Sequence, residues 1–309
     1  MAGEIVRRPD LEAAECSYPE YQCGKIYPFW GKPAIAGRCY YQRYHSDIQI
    51  QAGRAHGSLA EITNNIVTAS DTTYSCDELR SRVSMGYAQR MGFYDDEHAD
   101  LYMGRLAKRS FFNKLEQMTA AKIFNTTGAT DGTADPVAAI DTAVGVLRDL
   151  AYGRIALVGA NKNLVALKNN ATIADRMKGT GLAGIYGLED IRGIGWAQLG
   201  AACGVDEVLP MADHLAYAGV QGASKDCIAV VVLPDEYVDP SERVMLGNIL
   251  YFMFTDSTDD RFVMESFVNP LNDSNVVDAK GLNTLIEWNP ELRKTIRIFN
   301  NNDDSSSSN

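Results

Sequence analysis

The chain has 309 residues, enough to bury a large core in one domain or two, and its 46% hydrophobic and 22% charged residues are ordinary for a folded protein. Its net charge is -11, and the whole excess lies after residue 125: residues 1–125 carry 15 basic and 15 acidic side chains, residues 126–309 carry 14 and 25. That balance argues against a protein that grips nucleic acid, since such binding trades clustered Lys and Arg for counterions.

No run of about 18 apolar residues exists to span a membrane, and the opening MAGEIVRRPDLEAAE has no apolar leader. A protein made and kept in the cytoplasm is expected. Residues 1–45 do not read as a self-contained fold. Eight aromatics stand between Tyr18 and Tyr44, and Pro19, Pro28 and Pro33 with three glycines prevent long helices. Two readings stay open. The segment is an arm laid across another surface, where Tyr and Trp give large contact area, or it packs on its own domain.

From Ser46 to Ser84 the pattern turns to β. DIQIQAG alternates Ile48 and Ile50 with polar neighbours, TNNIVTASDTTYS is β-branched around a turn at Asp71, and RSRVSMGY returns as a strand. A polar hairpin of this kind is weak alone and needs a neighbour. Trp30, Tyr40, Tyr41, Tyr44, Ile48 and Ile50 are accordingly the candidate subunit-contact residues.

Tyr94 to Phe124 is the longest helix expected, roughly 30 residues or about 45 Å of strut. It opens on Asp95, Asp96 and Glu97 and carries Arg105, Lys108, Arg109, Lys114 and Lys122 later, matching the helix dipole. Leu101, Phe111, Leu115 and Met118 recur at helical spacing, while Gly104 weakens the element. NTTGATDGTAD is a loop. A second helix starts at Pro136 and stripes Val137, Ile140, Val144, Leu147 and Ala151.

RIALVGANKNLVALKNNATIADRMKGTG, Arg154 to Gly181, begins with a strand from Ile155 to Val158 closed by Gly159. Two short helices follow, carrying Leu164 and Leu167, then Ile173 and Met177, broken at Asn169–Asn170. GIGWAQLG has the wrong glycine spacing for a dinucleotide loop and reads as a loop or strand bend. CIAVVVL is a buried strand, MLGNILYFMFT a second apolar run, and RFVMESFV, VVDAKGLNTLIEW and TIRIFN give three strands of a closing antiparallel sheet. DDSSSSN reads as a solvated, disordered tail.

Chemistry is nearly absent. Cysteines 16, 23, 39, 76, 203 and 227 form no CxxC, so reduced thiols are expected, with a late disulfide among Cys16, Cys23 and Cys39 as the alternative. The four histidines never pair at ligand spacing, and DDEHAD around His98 reads as helix capping. No metal, cofactor or catalytic constellation emerges, so the chain does not read as an enzyme.

An aromatic arm, a polar β-excursion, a strut helix, a mixed α/β region and a closing sheet, in that order, resemble the major capsid proteins of tailed bacteriophages, the Hong Kong 97 fold. The closest local match is Leu164, Ala166 to Asn170 and Ile173 to Gly179. GVDEVLPMADHLAYAG is similar to the family's strand-and-loop segment, although Asp213 and His214 stand where it usually has Tyr or Asn. The resemblance implies an α+β capsid fold: arm 1–45, extended β-hairpin loop 46–84, peripheral domain with spine helix 85–134, axial domain 135–243 and return strands 244–302 to the peripheral domain. It implies self-assembly into pentamers and hexamers of an icosahedral shell around double-stranded DNA, in a virion put together in the host cytoplasm. Scaffold, cement and portal proteins are the implied partners, and no cofactor or membrane is. An encapsulin-type compartment around a cargo enzyme shares the fold and is the alternative; a soluble α/β enzyme is the minor one. Some members crosslink a loop lysine to a neighbour's asparagine. This chain has no lysine between Lys32 and Lys108, so its shell is expected to hold non-covalently or through a separate cement protein. No long helical segment precedes the arm, so either a separate scaffold protein or a chain already processed is expected.

Overall fold

The computed structural model describes residues 5–14, 21–32, 38–44, 69–75, 77–150, 153–179, 195–218, 220, 222–234, 246–254, 257–258, 261–269 and 274–299. In chain order these form β1 (Val6–Arg7), α1 (Pro9–Ala13), α2 (Cys23–Ile26), β2 (Phe29–Lys32), β3 (Arg38–Tyr44), β4 (Ala69–Ser75), β5 (Asp77–Gly86), α3 (Tyr87–Arg90) and α4 (Asp96–Ile123). There follow β6 (Thr130–Asp131), α5 (Pro136–Leu150), β7 (Arg154–Ala160), α6 (Asn161–Lys168), α7 (Ala171–Gly179), α8 (Trp196–Cys203), β8 (Glu207–Met211) and α9 (Asp213–Ala218). The chain closes with β9 (Cys227–Leu233), β10 (Gly247–Phe252), β11 (Val263–Asn269), β12 (Ser274–Glu287) and β13 (Arg293–Arg297).

Local sequence sets several of these boundaries. Asp95 Oδ1 accepts the His98 backbone N–H at 2.8 Å, so the DDEHAD run starts α4 as a cap. Asp135 Oδ1 accepts from Val137 and Ala138 N–H at 3.1 and 3.0 Å, with Pro136 at the first helical position of α5. Of the double asparagine, Asn169 closes α6 while Asn170 Oδ1 takes the Thr172 N–H at 2.9 Å and starts α7.

GIGWAQLG corrects a sequence expectation. It is not a loop or strand bend, because Trp196 to Cys203 is a helix. Gln198 Oε1 receives the Gly195 N–H at 2.7 Å, and Gly204 closes the element at φ +68°, a conformation that suits glycine. The glycines flank the helix, with Gly200 inside it.

The chain divides into two compact units. The first is Met1–Cys39, Tyr74–Thr119 and Asn248–Ile286; the second is Tyr40–Thr73, Ala120–Gly247 and Glu287–Asn309. The first is built on a six-stranded sheet ordered β1-β11-β12-β10-β2, with β5 also on β12. The β12–β5 ladder is antiparallel and runs ten residues, from Ser274↔Gly86 to Asn283↔Asp77, and β11 runs antiparallel on the same stretch of β12. Its core contains Phe111, Phe112, Leu115, Phe262, Met264 and Val277. Phe111 and Phe262 lie with ring centroids 5.5 Å apart. Burying side chains of this size stabilises by about 1.5–3 kcal/mol each. Gly281 on β12 is needed there. A Cβ would sit 2.5 Å from Arg261 O and 2.9 Å from Phe111 Cζ.

The second unit has a five-stranded sheet ordered β6-β13-β9-β7-β8. β9 is buried at all seven residues because β13 and β7 flank it, both antiparallel. Helix α5 buries Val137, Ile140, Ala143, Val144 and Leu147, the stripe that its spacing dictates. Arg293 and Thr295 on β13 donate to Ile123 O at 2.9 and 2.8 Å, closing the C-terminal end of α4. Here the structure departs from the expectation of one closing sheet that returns to the peripheral domain. The last three expected strands exist, but only β11 and β12 share a sheet; β13 is inserted between β6 and β9. Its five residues carry no alternation that would assign them to one sheet, so tertiary pairing decides. β3 and β4 form a separate two-stranded ladder.

Candidate assembly surface

The N-terminal segment is tied to its own unit by two buried carboxylates. Glu12, 2% exposed, accepts from Thr258 N at 2.9 Å, Thr258 Oγ1 at 3.1 Å, Met264 N at 3.0 Å and Arg7 Nε at 3.4 Å. Glu116, also 2% exposed, accepts the N–H of Gln22 at 3.1 Å and of Cys23 at 2.9 Å. Burial pushes the Glu116 carboxyl above its usual range against the pull of those two donors. Lys108 Nζ donates to Glu12 O and Ala14 O, and Tyr21 Oη donates to Asn113 Oδ1 at 2.7 Å. Leu11 lies over Gly104, where a Cβ would stand 3.3 Å away, so the glycine that weakens α4 makes room for the arm. β1 pairs with β11 and β2 runs parallel beside β10. Of the two open readings for residues 1–45, the stretches 5–14 and 21–32 therefore pack on their own unit. Tyr27 is fully buried there.

Four of the six residues chosen from sequence stand on described strands. Trp30 is half-buried on β2, opposite Leu250 in register. Tyr40, Tyr41 and Tyr44 lie on β3, a strand where no strand periodicity was expected; three tyrosines in seven residues favour extended backbone. Ile48 and Ile50 lie outside the described residues.

A different apolar surface stands out in the first unit. Tyr102 is 46% exposed and Leu106 36%, and with His98 they recur every four residues along one face of α4, with Tyr94, 93% exposed, just ahead of the helix. Tyr87 and Met91 are exposed just before it. The Tyr94 and His98 rings meet edge to face at 5.7 Å, and Tyr102 tilts against Phe93 at 5.3 Å. The opposite face is the buried one, with Ala99, Met103, Ala107 and Phe111. Sequence carries this signal as Tyr-x3-His-x3-Tyr-x3-Leu, but the competing Phe111–Leu115 spacing draws attention to the core face. His98 donates its backbone N–H to Asp95, and its ring also meets the carboxylate at 2.7 Å; these bonds hold the Asp95 carboxyl below its usual range.

The sheet of this unit also carries a charge cluster. Asp278 on β12, its side chain inaccessible, takes Arg82 Nε at 2.8 Å and both Arg80 Nε at 2.9 Å and Arg80 Nη2. Burial raises the Asp278 carboxyl, but the two guanidiniums outweigh it and hold it below the usual range. Arg82 in turn lies 5.2 Å over the Phe267 ring.

In the second unit a cavity of about 390 Å³ is lined by Lys162, Asn163, Tyr217, Lys225, Asp226 and Phe299. Asn163 Nδ2 donates to Lys225 O and Cys227 O, and Tyr217 Oη donates to Asn163 Oδ1 at 3.0 Å. Burial pushes the Tyr217 phenol up to about 12, so it stays protonated as a donor that ties α9 to α6. Cys23, Cys203 and Cys227 are buried free thiols. Desolvation pushes Cys203 up to about 12 and Cys227 to about 11, which makes both poor nucleophiles. Among the described residues no three His, Cys, Asp or Glu side chains gather to hold a metal, and no helix is long and apolar enough to cross a membrane.

No protein-family model matches the sequence, and no curated protein matches it. Solved structures do. A phage-related protein from Bordetella bronchiseptica RB50 is 14% identical, with a TM-score of 0.65 over 95% of this chain and 97% of that one. The capsid of cyanophage P-SCSP1u is 14% identical, with a TM-score of 0.54 over 93% and 90%. The mature capsid of bacteriophage PhiM1 is 11% identical, with a TM-score of 0.53 over the same shares. The chain has the α+β fold of phage capsid proteins, as its order of elements led us to expect.

Proposed function

We propose that this chain is the major capsid protein of a tailed phage, assembling as pentamers and hexamers into an icosahedral shell around double-stranded DNA. The carrying observation is the likeness to phage capsid proteins over more than nine-tenths of this chain. In this reading residues 1–45 are the arm, 46–84 the extended loop, 85–134 the peripheral domain with α4 as spine helix, 135–243 the axial domain and 244–302 the return strands, the β13 segment excepted. The role is structural rather than enzymatic. Its partners are other copies of itself, with scaffold, cement and portal proteins around them, and its place is the virion after assembly in the host cytoplasm. Trp30, Tyr40, Tyr41, Tyr44, Ile48 and Ile50 supply contacts between subunits.

Charge and exposure support this. Each intersubunit contact can be modest, because a closed shell repeats it over many copies. A net charge of -11 suits a wall that encloses DNA and does not hold it through counterion release.

Negative-stain microscopy of the expressed protein tests the reading. Closed shells or capsomer rings are expected. A monodisperse species of 33.9 kDa at every concentration would overturn it. Shells that copurify with a cargo enzyme in place of DNA would move the function to a compartment.

A further inference from the structure

We propose that the exposed face of α4 up to Arg109, together with Tyr94 just ahead of the helix, is a self-complementary contact, through which two copies of this chain pack antiparallel about a two-fold axis. The inference rests on the assembly reading above and names one of its interfaces.

Three observations carry it. His98, Tyr102 and Leu106 on α4, with Tyr94 just ahead of it, form an exposed stripe, while the helix buries Ala99, Met103, Ala107 and Phe111 on its opposite side. The core of the first unit is therefore satisfied without the stripe. The stripe also carries charge of opposite sign at its two ends, with exposed Asp95 and Glu97 at one and exposed Arg105 and Arg109 at the other. Finally, the spacing is symmetric about residue 100. An antiparallel copy centred there sets Tyr94 against Leu106, His98 against Tyr102 and Asp95 against Arg105, each pair occurring twice, as an isologous contact requires. A parallel copy would set Asp95 on Asp95 and Arg105 on Arg105, so charge selects the antiparallel arrangement.

The helical part of the stripe, His98 to Leu106, spans about 12 Å. A tyrosine buries roughly 150–250 Å² when fully covered, so the two copies' Tyr94 and Tyr102 give roughly 600–1,000 Å², at best the ~1,000 Å² that a stable interface must clear. The contact is weak between free chains and holds when other contacts keep the copies together.

The test is oxidation of a His98→Cys, Tyr102→Cys double variant in purified particles, read on a non-reducing gel. A covalent dimer without a ladder of larger species is expected, absent from the wild type and from a Val268→Cys control. Particles that form but yield only monomer would overturn this contact and leave the assembly reading standing. If the wild type forms no particles the assembly reading fails instead, and oxidation of the concentrated soluble double variant decides the contact, monomer alone overturning it. Arg105→Glu, which places like charges together twice per contact, provides a second arm with no new cysteine. It should lower particle yield several-fold while leaving the unfolding midpoint of the free chain within error; an unchanged yield counts against the pairing.

Discussion

Truncating Glu12 to Ala should destabilise the first unit far more than a helix-surface glutamate would. Its carboxylate receives two backbone N–H groups, Thr258 and Met264, together with the Thr258 hydroxyl and Arg7. Each buried donor left without an acceptor costs about 1–3 kcal/mol, and removing one partner from a buried ion pair costs about 3–5 kcal/mol. Water entering the space recovers part of this, so a net loss of about 3–5 kcal/mol is expected. Trp30 lies in the first unit and Trp196 and Trp288 in the second. A Trp196→Phe, Trp288→Phe background therefore makes Trp30 fluorescence a reporter of the first unit alone. With a urea slope of about 2 kcal/mol/M, the midpoint should fall by about 1.5–2.5 M. Glu12→Gln keeps one acceptor oxygen and should lose about half as much. A shift of under about 0.3 M for the alanine variant would refute the carboxylate as the anchor of the N-terminal segment.

Gly281→Ala should cost about 1–3 kcal/mol by the same readout, because the new methyl meets the Arg261 carbonyl and the Phe111 ring; an unchanged midpoint would mean that β12 shifts freely. Asp278 is held below its ordinary value of 3.8 by Arg82 and Arg80. A depressed folded-state value contributes stability that is present above 3.8 and is lost as pH falls below it. Asp278→Asn should thus narrow the gap between unfolding midpoints at pH 7 and pH 3, and an equal gap in both proteins would contradict the assignment. With no lysine between Lys32 and Lys108, mature particles should dissociate to monomers in hot reducing denaturant, and a residual ladder there would show a covalent bond.

Helices and buried strands were legible wherever a single local pattern decided them. The Val137–Leu147 stripe, the capped start of α4 and the apolar run of β9 all have one physical solution. The docking of the arm was not legible, because Glu12 and Glu116 read as surface residues until the backbone donors that surround them are in place. Nor was the pairing of β13, whose sequence suits either sheet, or α8, where glycines stand at both helix ends and suggest a loop. Tyr102 and Leu106 were hidden for another reason: an exposed apolar stripe and a buried one have the same period, and only burial tells them apart.

The position of β13 has a consequence for how the protein is made. Residues 293–297 fill a place between β6 and β9, so the second unit stays an open sheet on the ribosome until these residues have been translated. The first unit likewise waits for residues 248–286. Neither unit finishes early, as N-terminal domains commonly do during synthesis. A prematurely terminated chain would lack the strand that closes β9, leaving an unpaired apolar edge that invites aggregation. Such chains would fail to fold, and so be kept out of any assembly, before their surfaces could be used.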